Sequence, residues 1–190
     1  MPPAPTLVTA VGGTETPFRK AMMVLAGAAL ITLGARLSVP MWPVPMSLQT
    51  LAVLIVGFGL GSRLGAASVM SYLALGAAGL PVFVAGAGVP ALLGPTAGFL
   101  FGFVALAWLA GLAAERGVAR GLVRTTGVAL ALSAVLYVPG VLWLFAATPL
   151  DLQTAVAAGA LPFLLGDAIK SVMAALIVTG AWAVLRLRKN

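Results

Sequence analysis

The chain has 190 residues, of which 62% are hydrophobic and 8% are charged, and its formal net charge is +7. A mean hydropathy of +1.14 lies far above the range of soluble domains and indicates an integral membrane protein. The sequence contains no Cys and no His, which excludes disulfides, thiol nucleophiles, zinc sites built on those ligands and imidazole bases. We therefore expect no enzymatic activity, no metal ion and no cofactor.

Residues 1–18 predict a disordered cytoplasmic tail, because early prolines and a Gly-Gly pair interrupt any apolar period. Residues 19–190 then form a single membrane domain. Prolines and charges divide it into six hydrophobic segments, at 21–35, 46–60, 64–79, 96–114, 125–146 and 161–185. We therefore predict an all-α integral membrane fold of six transmembrane helices.

The second segment is short. Its length is ~22 Å at 1.5 Å per residue, below the ~30 Å of a hydrocarbon core, so we expect it to pack against protein rather than lipid. Its glycines, including the pair Gly57-x-x-x-Gly61, offer small faces for such packing.

Two loops on the same predicted side have unusual composition. Residues 37–45 hold three prolines around Trp42, which predicts an ordered, extended path. The loop at 80–95 carries no charge. It is either a lid or pocket wall at the membrane surface or a loop buried under lipid headgroups.

The basic residues indicate the orientation of the chain in the membrane. Nine of the 11 basic residues fall on one side if both termini are cytoplasmic, namely Arg19, Lys20, Arg63, Arg116, Arg120, Arg124, Arg186, Arg188 and Lys189. This positive-inside distribution predicts cytoplasmic termini. Because the basic residues are topology signals, we expect no nucleic-acid partner.

The sixth segment carries an acid and a base, Asp167 and Lys170, on one face of the predicted helix. Charges at membrane depth are costly, so the pair marks either a functional site or an ion pair that only fixes helix packing. Counted from Leu161, Asp167 lies about 9 Å below the outer end of its helix. We expect an outward-facing pocket for a small amphipathic solute, with an anionic group for the ammonium and N–H donors for the carboxylate.

Further candidate ligand contacts share the outer side. They are Gln49, Thr50, Phe83, Thr96, Tyr137 and Trp143. Helix caps or interhelical hydrogen bonds are the alternative for the first two and for Thr96, and an interfacial aromatic belt is the alternative for Tyr137 and Trp143.

Five motifs resemble those of the BioY family, in the same order and spacing across residues 19–186. They are VPMSLQTL at 44–51, GLPVF at 79–83, LGPTAGF at 93–99, YVPGVLWL at 137–144 and LPFLLGDAIK at 161–170. The resemblance implies six helices in the bacterial cytoplasmic (inner) membrane and capture of biotin near the outer surface. It also implies that Lys170 contacts the biotin carboxylate and that Asp167 accepts from the ureido N–H groups.

The same resemblance implies the role of substrate-capture (S) component in an energy-coupling-factor (ECF) transporter. The partners would then be biotin, the lipid bilayer, a coupling transmembrane subunit and ATPase subunits, since the chain has no Gly-x-x-x-x-Gly-Lys-Ser/Thr phosphate loop of its own. A solitary, homo-oligomeric biotin transporter and an S component for another heterocyclic acid are alternatives. A structural membrane protein and an intramembrane hydrolase are alternatives from other classes.

Overall fold

The described part of the chain, residues 4–10, 12, 16–84 and 86–187, consists of eight α-helices and one hairpin in a computed structural model. In chain order the elements are α1 Leu7–Ala10, α2 Pro17–Arg36, β1 Ser38–Val39, β2 Met46–Ser47, α3 Gln49–Leu60, α4 Ser62–Ala77, α5 Ala97–Glu115, α6 Leu122–Ala147, α7 Leu152–Gly159 and α8 Leu164–Leu187. Short 3-10 turns occupy Val89–Leu92, Val118–Arg120 and Leu161–Phe163. The predicted all-α membrane fold is confirmed.

Each predicted segment corresponds to one of the helices α2, α3, α4, α5, α6 and α8. Within the described ranges, four stretches are long and apolar enough to cross a bilayer by themselves, namely Pro17–Arg36, Ala97–Glu115, Leu122–Ala147 and Leu152–Leu187. The helices α3 and α4 are shorter, with 12 and 16 residues. They are joined through Gly61 alone, whose φ of 87° lies in the left-handed region that favours glycine.

Helix α3 lies at the centre of the bundle. It contacts α1, α2, α4, α5 and α8, and nine of its 12 residues are buried. A helix of that length rises only about 18 Å and cannot span a hydrocarbon core. The prediction that the second segment packs against protein is thereby confirmed.

The N-terminal segment that we predicted to be disordered contains ordered structure where it is described. The turn α1 packs Leu7 and Ala10 against the main core, and the Ala4 N–H donates to the Glu115 carbonyl at 2.6 Å. Composition alone does not predict this packing, because it does not show that the bundle offers an apolar surface to Leu7 and Ala10. Residues 1–3, 11 and 13–15 lie outside the described residues, as do Arg188 and Lys189, which were assigned to the cytoplasmic side.

Helix α7 was not predicted and changes the start of the last helix. The Asp151 carboxylate caps α7 by accepting from the Thr154 N–H at 2.8 Å, and these hydrogen bonds from Thr154 hold the pKa of Asp151 below its usual range. The 3-10 turn at Leu161–Phe163 follows, so α8 begins at Leu164. Asp167 therefore lies in the first turn of α8, about 4.5 Å from its start at 1.5 Å per residue. The last helix thus begins three residues later than the predicted Leu161, because Pro162 lies in this 3-10 turn rather than in the α-helix.

The proline-rich segment at 37–45 contains the first strand and the connection of a small hairpin, in agreement with the predicted extended path. Its strands pair antiparallel, with Ser38 opposite Ser47 and Val39 opposite Met46. Trp42 in the connection is 83% exposed. The hairpin holds the chain from Val44 to Ser47 against the end of the bundle where α3 begins.

Candidate functional site

A cavity lies at the end of the bundle where α3, α5 and α8 begin. The positive-inside distribution makes this end the outer one, since Arg63, Arg116 and Arg124 lie near the opposite helix ends. The space between the lining side chains is about 640 Å³ including the mouth. The centre of a water molecule can occupy about 60 Å³ of it. Seven of the eight predicted ligand contacts line it, namely Gln49, Thr50, Phe83, Thr96, Tyr137, Asp167 and Lys170.

The acid and the base form a buried ion pair in the wall of this cavity. Each residue is only 5% exposed, and Lys170 Nζ lies 2.9 Å from Asp167 Oδ1. Tyr137 Oη donates to the other carboxylate oxygen at 2.6 Å. The position of Asp167 in the first turn of α8 also favours its negative charge, because helix N-termini carry partial positive charge.

This pair keeps hydrogen-bonding capacity for a ligand. An ammonium has three donors and a carboxylate has about four acceptor sites. Within the described residues, Lys170 uses one donor and Asp167 uses one site on each oxygen. A ligand in the cavity can therefore both accept from Lys170 and donate to Asp167 without breaking the pair.

The amide of Gln49 is held in a fixed orientation at the cavity wall. Its Nε2 donates to the Tyr72 hydroxyl at 2.8 Å, and its Oε1 accepts from the Ser47 hydroxyl at 3.2 Å. Tyr72 is fully buried on α4 and does not itself line the cavity. Sequence reasoning missed Tyr72, because its partner lies 23 residues away on another helix.

The apolar loop at 80–95 contributes a wall to the cavity through Phe83. This side chain is 2% exposed and packs edge-to-face on Tyr72, with ring centroids 5.3 Å apart and an interplanar angle of 83°. Its ring fills the space that a side chain at Gly76 would occupy. Of the two alternatives for this loop, the pocket wall is the one that the structure favours.

Trp143 is the predicted contact that the structure does not bring to the cavity. Its indole N–H donates to the Gly94 carbonyl at 3.0 Å and so ties the loop at 80–95 to α6. The cavity instead uses aromatic side chains that had no assigned role, Phe99, Phe103 and Phe163. Spacing could have found two of them, because Phe99 and Phe103 follow Thr96 at helical intervals on one face of α5.

The chemistry of the cavity is that of a binding site. Aromatic and aliphatic walls surround one ammonium, one carboxylate, an amide and the hydroxyls of Ser47, Thr50 and Thr96. In the part of the chain that the structure describes, no group of three or more Asp, Glu, His or Cys residues is placed to hold a metal ion. A mostly apolar pocket with a few convergent polar groups suits a small amphipathic solute.

Comparison with known sequences gives consistent matches over most of the chain. A protein-family model described as the BioY family matches residues 8–187. A biotin transporter BioY from Thermotoga maritima is 40% identical over 162 residues, which cover 85% of this chain and 90% of that protein. A biotin transporter BioY from Rhizobium etli is 39% identical over 163 residues, with 80% and 87% covered.

Comparison with solved structures agrees with the sequence matches. The chain is similar to the crystal structure of the S-component for biotin from an ECF-type ABC transporter, with a TM-score of 0.74 and 26% identity. The match covers 93% of this chain and 96% of that one. The likeness therefore extends over the whole bundle and includes the helices that carry the cavity.

Proposed function

Since this chain belongs to the BioY family, we propose that it captures biotin in the outer cavity through Asp167 and Lys170. The family resemblance found in the five sequence motifs is confirmed, and the chain is a multi-pass bacterial membrane protein for biotin uptake. The observation that supports this location for the site is the buried ion pair in the cavity wall.

The short distance between Lys170 and Asp167 limits the orientations in which biotin would bind. The ureido group and the carboxylate of biotin are separated by the thiophane ring and the valerate chain. Lys170 Nζ and Asp167 Oδ1 are only 2.9 Å apart, so the two groups would act at the same end of the ligand. The sequence-based assignment, with Lys170 at the carboxylate and Asp167 at the ureido group, requires opposite ends.

We propose that this end is the ureido end. A ureido group has a carbonyl acceptor beside two N–H donors, which matches an ammonium beside a carboxylate. Placing the biotin carboxylate there would instead put two carboxylates against one ammonium in a buried site, which leaves a negative charge uncompensated. The neutral ring system therefore suits the pair better than the charged tail does.

The carboxylate of biotin would then lie toward the mouth of the cavity. Thr50 in the first turn of α3 and Thr96 at the N-cap of α5 line the cavity and would serve as hydroxyl donors. The N-cap residues of the two helices, Leu48 and Thr96, make no side-chain capping hydrogen bond, and backbone N–H groups at helix N-termini favour anions. Phe83 and Phe99 would pack against the thiophane ring.

Thermal unfolding of the purified protein tests this proposal. Because a ligand that binds only the folded state stabilises it, biotin at ~1,000 times its Kd should add about 4 kcal/mol, or roughly 10 °C in Tm. Asp167→Asn should lose most of that shift. The matched control is Asp151→Asn, which changes an exposed acid on the same side and keeps a good capping residue for α7. No shift at saturating biotin, or an equal loss in both variants, would contradict the site.

The energy for uptake is a separate part of the proposal. We propose that a coupling transmembrane subunit and ATPase subunits drive transport and that this chain performs no chemistry on biotin. The similarity to an S-component of an ECF-type ABC transporter supports this, as does the absence of His, Cys and a phosphate loop from the sequence.

Uptake of labelled biotin into cells without their own biotin transporter distinguishes coupled from solitary transport. We expect accumulation when the chain is expressed with a coupling subunit and ATPases, and only surface binding when it is expressed alone. A variant ATPase that binds but does not hydrolyse ATP is the control. ATP-independent accumulation by the chain alone would support the solitary transporter instead.

A further inference from the structure

A second cavity lies at the cytoplasmic end of the bundle and shares no lining residue with the biotin site. It is lined by Ala10, Arg120, Trp182, Leu185 and Arg186. The space between these side chains is about 500 Å³ including the mouth. The centre of a water molecule can occupy about 200 Å³ of it. Three separate parts of the chain thus converge here: α1, the 3-10 turn before α6, and the end of α8.

Two guanidinium groups face this cavity without an acidic partner in the described ranges. Arg120 Cζ lies 5.1 Å from the ring centroid of Trp182, a cation–π distance that holds the guanidinium over the indole. Neither Arg120 nor Arg186 forms a salt bridge to another described residue. The described acid at this end of the bundle, Glu115, accepts instead from the Ser62 N–H and hydroxyl at 2.7 and 2.8 Å.

Trp182 also lines this cavity and carries an indole N–H donor. Trp182 is only 8% exposed, and its Nε1 has no hydrogen-bond partner among the residues that the structure describes. Buried polar groups are nearly always paired. A buried donor without a partner, in the wall of a cavity that also holds two guanidinium groups, indicates a site for an oxyanion.

We propose that this cavity binds the phosphate of an anionic phospholipid headgroup in the cytoplasmic leaflet. Guanidinium groups bind phosphate through paired, charge-assisted hydrogen bonds, and anionic lipids concentrate in that leaflet. The surroundings favour a lipid over free phosphate. The last turns of α8 expose Val184 and Leu187, and the start of α6 exposes Val123, so apolar surface for acyl chains lies on the elements that form the site.

Lipid titration monitored by native mass spectrometry tests the proposal on the detergent-purified full chain. We expect phosphatidylglycerol to bind about 10-fold more tightly than phosphatidylcholine. The double variant Arg120→Gln/Arg186→Gln should lose this preference. Trp182→Phe, which keeps an aromatic ring but removes the N–H, should reduce it about threefold. The control Arg63→Gln/Arg124→Gln removes two exposed basic residues at the same end that do not line the cavity, and should keep it.

Three results would overturn the proposal. An equal loss in the control pair would mean that general surface charge attracts the lipid, and an unchanged preference in both cavity variants would mean that the lipid binds elsewhere. Displacement of phosphatidylglycerol by equimolar inorganic phosphate would assign the cavity to a free anion. The biotin-induced thermal shift should persist in every variant, which shows that the variants fold and separates this result from a failure of the biotin site.

Discussion

Lys170→Ala is expected to lower the affinity for biotin by roughly 10- to 100-fold, and to lower the affinity for biotin methyl ester by the same factor. The variant would lose the charge-assisted hydrogen bond from the ammonium to the ureido carbonyl, at a cost of about 1.5–3 kcal/mol of binding, and 1.4 kcal/mol corresponds to a factor of ten. The ester should behave like biotin because Lys170 is proposed to act at the ureido end, beside Asp167.

Isothermal titration calorimetry with both ligands measures the effect. Arg36→Ala removes a basic residue that is exposed on the outer side and does not line the cavity, and it should change neither affinity. The double variant Asp167→Asn/Lys170→Met removes both charges and should regain thermal stability without regaining ligand binding. If Lys170→Ala weakened biotin and spared the ester, Lys170 would contact the carboxylate and the proposed orientation of biotin would be wrong.

Gly57→Leu is expected to destabilise the bundle by about 3 kcal/mol or more, because α3 and α5 approach each other closely at this residue. A Cβ atom built on Gly57 would lie 2.6 Å from the Ala107 carbonyl oxygen and 2.8 Å from Ala110 Cβ. Gly65 of α4 packs at the same contact, where its own Cβ would lie 3.1 Å from Gly57 Cα and 3.4 Å from the Ala107 carbonyl oxygen. No side-chain rotation can relieve contacts with backbone atoms.

Gly59→Leu is the matched control for that substitution. Gly59 belongs to the same helix, and a Cβ built on it would meet no atom within 4 Å. We expect its effect on the free energy of unfolding to stay within about 0.5 kcal/mol. Size-exclusion profiles and thermal unfolding in detergent compare the two variants. Equal stability of both would show that α3 and α5 do not pack at Gly57 as described.

The pair Gly57-x-x-x-Gly61 shows how far a motif predicts structure. The sequence indicated close packing at both glycines, and Gly57 does provide it. Gly61 is also closely packed, since a Cβ built on Gly111 of α5 would collide with the Gly61 carbonyl carbon. It is at the same time the single residue between α3 and α4, with a φ of 87°. The motif identified the small residues correctly, but the chain reversal at Gly61 depends on where the helix ends.

The sequence by itself determined the class of the protein, its orientation and the chemistry at the centre of its site. The hydropathy of a segment is an average over all its residues, and the orientation follows from the distribution of Lys and Arg between the loops. Neither quantity depends on how the helices pack. Asp167 and Lys170 are three residues apart, so one turn of helix suffices to bring them together. The family motifs were equally local, since each lies within a run of ten residues or fewer.

Only the tertiary structure decided which side chains share the site and what holds them. The Gln49–Tyr72 hydrogen bond, the Trp143–Gly94 hydrogen bond and the Arg120–Trp182 contact each join separate helices or loops. In an apolar chain most faces of every helix are hydrophobic, so periodicity does not say which face meets lipid and which meets protein. That choice is made by close packing between helices, which leaves Trp143 outside the cavity and places Arg120 over Trp182.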